Sequence, residues 1–130
     1  MRDITIGLRP RTSEIARIAA ALAREQVTLR AGSALTVGAQ LVARFIPSDI
    51  EAARRALDAA AVPFVEHEVV PVLLEGRSGE LATVSARLAD AGIAVRGIYL
   101  TAMLDNVMQI AIVADQPEAL RRVLGLRAGM

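Results

Sequence analysis

The chain has no cysteine, no lysine, no tryptophan and one histidine among its 130 residues. Without cysteine there are no disulfides, no thiolate nucleophiles and no thiolate metal sites. Aromatic residues make up only 2%, with Phe45, Phe64 and Tyr99 as the large rings, so alanine and branched aliphatics must build the core. The same scarcity removes the stacking platforms on which single-stranded RNA is read. No apolar run approaches the roughly 20 residues of a membrane span. The opening MRDITIGL places Asp3 where a secretory leader would need unbroken apolar residues. Charge of one sign is missing too. Fifteen arginines face fourteen acids, a formal charge of +1, so no long-range field gathers nucleic acid or anionic lipid. The expectation is a cytoplasmic chain with no nucleic-acid and no membrane partner.

What is present is a repeat. At an offset of 66 the chain matches itself, pairing Ile15 with Leu81, Ile18 with Val84, Leu22 with Leu88 and Val27 with Ile93. Farther along the offset becomes 67, and Glu51, Ala52, Arg54, Arg55 and Leu57 return as Glu118, Ala119, Arg121, Arg122 and Leu124. Each copy opens on alternation, Ile4-Ile6-Leu8 and Val70-Val72-Leu74, the period of a strand with one buried face. A helix follows, with its apolar stripe at i, i+3 and i+7. Two further strands are predicted per copy, over 27–35 and 38–46, then 93–101 and 106–114, turning near Gly38 and at Asp105-Asn106. Ser48 and Asp115 stand three residues before Glu51 and Glu118, the spacing of a capping box opening a second helix. The first copy then adds AVPFVEHEVV, which runs without a turn into VPVLLE, whereas GLRAGM at the end is too short and poor in β-formers for a matching strand.

This order, βαββαβ then βαββα, predicts an α+β chain of two ferredoxin-like sandwiches over 1–67 and 68–130. Each has an antiparallel sheet with its helices on one face, and the second lacks its own last strand. The face turned away from the helices is expected to carry Leu73, Ile98, Leu100, Val107 and Val113 in the second copy. That is apolar enough to predict a covering partner, a homodimer or an enzyme subunit.

Chemistry is sparse. His67 stands alone in a strand without a convergent partner and is read as structural. Ser78 and Ser85 have no base, so no catalytic residue, no metal site and no cofactor are expected. The informative stretch is GRSGEL, where the chain passes from strand to helix through Gly76 and Gly79. Its helix start offers free amides to a carboxylate, with Arg77 beside them. Gly92 is read as a left-handed helix end.

The stretch VLLEGRSGELATVSARLADAGIAVRGIYL resembles ACT domains, through Gly79, Leu81, Leu88, Gly92 and Ile93, and the whole chain from about Ile4 to Leu124 resembles small bacterial proteins of two tandem ACT domains. The loop carries Ser78 where the family has proline, and the first copy has Ser13 and Gln26 in place of the two glycines. The resemblance implies a non-catalytic regulatory module that binds an amino acid or similar small carboxylate at an ACT–ACT interface. It further implies a site in the second copy formed by Arg77, Ser78, Gly79, Glu80 and Leu81, with Ile98 and Tyr99 lining it, and a first copy acting as scaffold. The alternative is a ligand-free interaction module that dimerises, or docks on a biosynthetic enzyme subunit, through its apolar sheet face.

Overall fold

Strand and helix periods organise the chain into ten elements in the computed structural model, which describes residues 1–126. They are β1 (Arg2–Leu8), α1 (Thr12–Arg24), β2 (Leu29–Val37), β3 (Gln40–Pro47), α2 (Ile50–Ala59), β4 (Val65–Glu75), α3 (Glu80–Asp90), β5 (Val95–Leu104), β6 (Val107–Ala114) and α4 (Pro117–Leu124). The fold is α+β, as the two periods predict. The chain divides into two compact units, one of Arg2–His67 and one holding Glu68 onward with Met1. VEHEVV does run on into VPVLLE, as the single eleven-residue strand β4, whereas residues 61–64, expected in the same strand, lie ahead of it. Residues 127–130 of the GLRAGM tail lie outside the described residues.

In the first unit the antiparallel order is β2-β3-β1, with Ile4 opposite Phe45 and Ile6 opposite Ala43. Directly opposed residues share a face. Ile4, Ile6 and Phe45 therefore point together, and they pack with Ile18 and Leu22 of α1 and Ala53 and Leu57 of α2 into one core. The second unit repeats the plan with β4-β6-β5, where Val70, Leu74, Ile110 and Ile112 meet Leu88 of α3 and Leu120 of α4. The leading residue of each helical stripe stays out of these cores: Ile15 is 43% and Leu81 44% exposed.

The face opposite the first core holds a buried polar cluster. Asp3 is fully buried there, and Arg44 sets Nε 3.1 Å from its Oδ2 and donates to the Thr5 hydroxyl at 2.9 Å. The other arm of Arg44 donates to Nδ1 of His67 at 3.2 Å, and that nitrogen lies 3.6 Å from Asp3 Oδ1. The histidine thus packs against Arg44 and Asp3.

Two capping expectations are corrected. The N-cap of α2 is Asp49, whose carboxylate accepts from the amides of Glu51 and Ala52 at 3.0 and 3.1 Å. Ser48 instead accepts the Thr28 amide through Oγ at 3.0 Å. The N-cap of α4 is Gln116, with Pro117 as the first helical residue, and Asp115 holds Arg96 at 2.7 and 2.9 Å. Proline at a helix start gives up an amide that has no intrahelical acceptor in any case.

Gly92 closes α3 at φ +70, and in the first unit Gln26 takes the same left-handed conformation, φ +57, after α1. An L side chain there costs about 1–2 kcal/mol. Gln26→Gly is accordingly expected to raise stability by about 0.5–1 kcal/mol after the greater chain entropy of glycine is offset, and Gly92→Gln to lower it similarly. Urea titration of both variants measures the pair.

Glu66 takes Arg54 at 2.5 and 2.7 Å and Arg2 at 3.0 Å. The Arg54 hydrogen bonds, ahead of the Arg2 contact, hold its carboxyl down at about 2. A depressed folded-state value means stabilisation that is complete above the unfolded value and lost as the pH falls through the folded one. Stability should therefore drop between about pH 5 and pH 2, and Glu66→Gln should flatten that part of an acid titration followed by circular dichroism.

Candidate functional site

The strand-to-helix loop of the second unit begins where β4 ends at Glu75. The Gly76 amide donates to the Asn106 carbonyl, and a Cβ on Gly76 would lie 2.7 Å from that oxygen, so only glycine lets the two backbones come together. Arg77 turns back, its amide donating to Glu75 O at 2.7 Å and its guanidinium 2.9 Å from the Glu75 carboxylate, both side chains exposed. Gly79 is the N-cap of α3 at φ +94, with open space where a side chain would stand. Thr83 returns to the Gly79 carbonyl with its amide at 2.9 Å and its hydroxyl at 3.0 Å, which fixes the first turn. The Glu80 amide donates to the Arg77 carbonyl at 3.4 Å, and the next amides of that turn, those of Leu81 and Ala82, have no acceptor within the helix. Glu80 adds a buried carboxylate oxygen, Oε2, with no hydrogen-bond partner among the described residues.

Of the seven predicted site residues, Arg77, Ser78, Gly79, Glu80 and Leu81 are contiguous in this turn. Ile98 and Tyr99 divide. Ile98 opposes Ile112, a core residue, so it lies on the helix side of the sheet; Tyr99 opposes Ala111 on the other face. The apolar face is corrected in the same way. Leu100 opposes Ile110 and joins Ile98 on the helix side, exposed because β5 is the outer strand of its unit's order. Val113 is fully buried. Leu73 and Val107 do stand exposed opposite the helices, and with Leu104, Asp105 and Gln109 they line a shallow depression of about 400 Å³.

Sequence reasoning missed a larger space. In the first unit a cavity of about 430 Å³ opens between α1 and β2, bounded by Ile15, Leu22, Leu29 and Phe45 and by the small residues Gly32 and Ala34. The repeat held the signal. At the offset of 66, Gly32 and Ala34 stand where the second copy has Ile98 and Leu100, so side-chain volume present in one copy is absent from the other. Among the described residues no three His, Asp or Glu side chains come together in a metal-binding group. No helix among them is long and apolar enough to cross a membrane.

No protein-family model and no curated protein matches the chain. Solved structures do. Protein BT0572 from Bacteroides thetaiotaomicron is similar at a TM-score of 0.83 and 22% identity, over 95% of this chain and 85% of that one. The ligand-free regulatory subunit of aspartate kinase from Thermus thermophilus is similar at 0.67 and 17%, over 95% and 90%. The corresponding subunit from Thermus flavus is similar at 0.68 and 17%, again over 95% and 90%. At these identities the likeness speaks for architecture alone, and the architecture is an ACT-like α+β fold.

Proposed function

We propose that the chain is a non-catalytic regulatory module of two ACT-like repeats, 1–67 and 68–130, that binds an amino acid at the loop opening α3. The observation that carries the reading is the fold, shared over 95% of this chain with the regulatory subunit of aspartate kinase from Thermus thermophilus. The loop chemistry suits a zwitterion. First-turn amides and the positive end of the helix favour a carboxylate, and Glu80 Oε2 offers an ammonium the acceptor it needs. Leu81 and Ile98, both half-exposed on the helix side, supply apolar surface for a side chain.

An amino acid bound in this way regulates only through differential affinity for two arrangements of its target. Affinity for so small a ligand falls between about 1 mM and 1 μM. A thermal-shift screen with every amino acid at several millimolar is expected to find at least one that stabilises the chain. Gly79→Val should abolish that shift, because a β-branched residue at φ +94 displaces the turn, yet the open space before Gly79 spares the core a clash. No stabilisation by any amino acid would remove the sensor reading.

The second reading, an interaction module, is favoured by Leu73 and Leu104, 68% and 76% exposed around the shallow depression. It predicts a homodimer, or binding to an enzyme subunit, that a Leu73→Glu change disrupts. Light scattering across a hundredfold dilution separates the dimer from a monomer.

A further inference from the structure

Two arginines occupy matching β-bulges. Arg30 is the extra residue where Leu29 pairs with Pro47 and Ala31 with Ile46, and Arg96 is the extra residue where Val95 pairs with Ala114 and Gly97 with Val113. A bulge re-aims its side chain. Arg96 is satisfied by the two-pronged bond to Asp115. At the position matching Asp115 the first unit has Ser48, a neutral residue already engaged with the Thr28 amide. The Arg30 guanidinium has neither ion pair nor hydrogen bond among the described residues, and the residue lies on the wall of the α1–β2 cavity.

The rest of that wall is hydrocarbon. Leu22, Leu29 and Phe45 give it an apolar surface, and among the described residues that line it Arg30 carries the one charged side chain. The space is kept open by backbone packing: a Cβ on Gly32 would lie 2.8 Å from both the Arg44 carbonyl oxygen and Phe45 Cβ, so no larger residue fits without moving β3. An apolar cavity of this size with a single unneutralised guanidinium on its wall matches a molecule with a branched hydrocarbon end and one carboxylate. Arginine presents a planar fork that a carboxylate engages through both oxygens, as Asp115 does with Arg96.

We propose that the α1–β2 cavity of the first unit is a binding site for a branched aliphatic carboxylate, its hydrocarbon against Leu22, Leu29 and Phe45 and its carboxylate on Arg30. The site is separate from the α3 loop and stands whether or not that loop binds anything.

The test is calorimetry with 4-methylvalerate, and with its uncharged amide as the isosteric control. The intact chain is expected to bind the acid saturably, with the amide about tenfold weaker because the charge-assisted bond is lost. Arg30→Gln should bring the acid down to the level of the amide. Ser48→Asp, which places a carboxylate where the second copy has Asp115, should do the same by occupying Arg30 internally. Ala34→Leu should block acid and amide alike. Absence of saturable binding of the acid, equal affinity for acid and amide, or retention of the preference in Arg30→Gln would each overturn the assignment. Arg30→Gln and Ser48→Asp alter exposed or half-buried positions, so the result holds even if Ala34→Leu fails to fold.

Discussion

Arg44→Met is expected to destabilise the chain by about 3–5 kcal/mol, because it leaves the fully buried Asp3 carboxylate without its guanidinium counter-charge. The Arg44 stem is itself well packed, and methionine keeps much of that hydrocarbon, so the loss reports charge rather than volume. The hydrogen bonds to Thr5 and His67 go with it, which places the effect at the upper end of the range for a single broken pair. Replacing both partners, Asp3→Leu with Arg44→Met, should recover most of the loss, since an apolar pair carries no desolvation penalty. Urea unfolding of the two single variants and the double variant closes the cycle. A cost under about 1 kcal/mol for Arg44→Met would place the cluster in water.

Leu120→Ala should cost about 2–5 kcal/mol. Leu120 is fully buried in the core of the second unit, where Val70, Leu88 and Ile112 surround the cavity its removal would leave. The matching residue of the first unit is Ala53, also fully buried, so the two cores fill one position with different volumes. Ala53→Leu should therefore overpack the first core by about 1–3 kcal/mol and does not serve as a conservative exchange. Hydrogen exchange resolves the two effects by residue: Leu120→Ala should lower protection in β6 and α4, and Ala53→Leu in β3 and α2.

Much of the element order was legible because period two and period 3.6 alternate cleanly, and because Gly38, Gly79 and Gly92 each sit at a positive φ that punctuates the chain. Helix starts were misplaced by one residue. Spacing to Glu51 and Glu118 marks a helix start to within a turn, but the N-cap position is set by local backbone geometry, which puts Asp49 there with a capping side chain and Gln116 there without one. The faces of β5 were misread for a related reason. Ile98, Tyr99 and Leu100 are all apolar, so alternation leaves their sides undefined, and the bulge at Arg96 breaks the count from the preceding loop. The cavity escaped notice because it is a missing volume. Gly32 and Ala34 look unremarkable alone and become informative only against Ile98 and Leu100, just as Arg30 does against Arg96 once Ser48 is set beside Asp115.

The regulatory account rests on an amino acid reaching the start of α3, and titration of the isotopically labelled chain followed through its amide NMR signals tests that point residue by residue. Saturable shifts at Gly79, Glu80 and Leu81 with at least one amino acid, absent in Gly79→Val, are the predicted result. A full panel at several millimolar that leaves those three amides unmoved would contradict it.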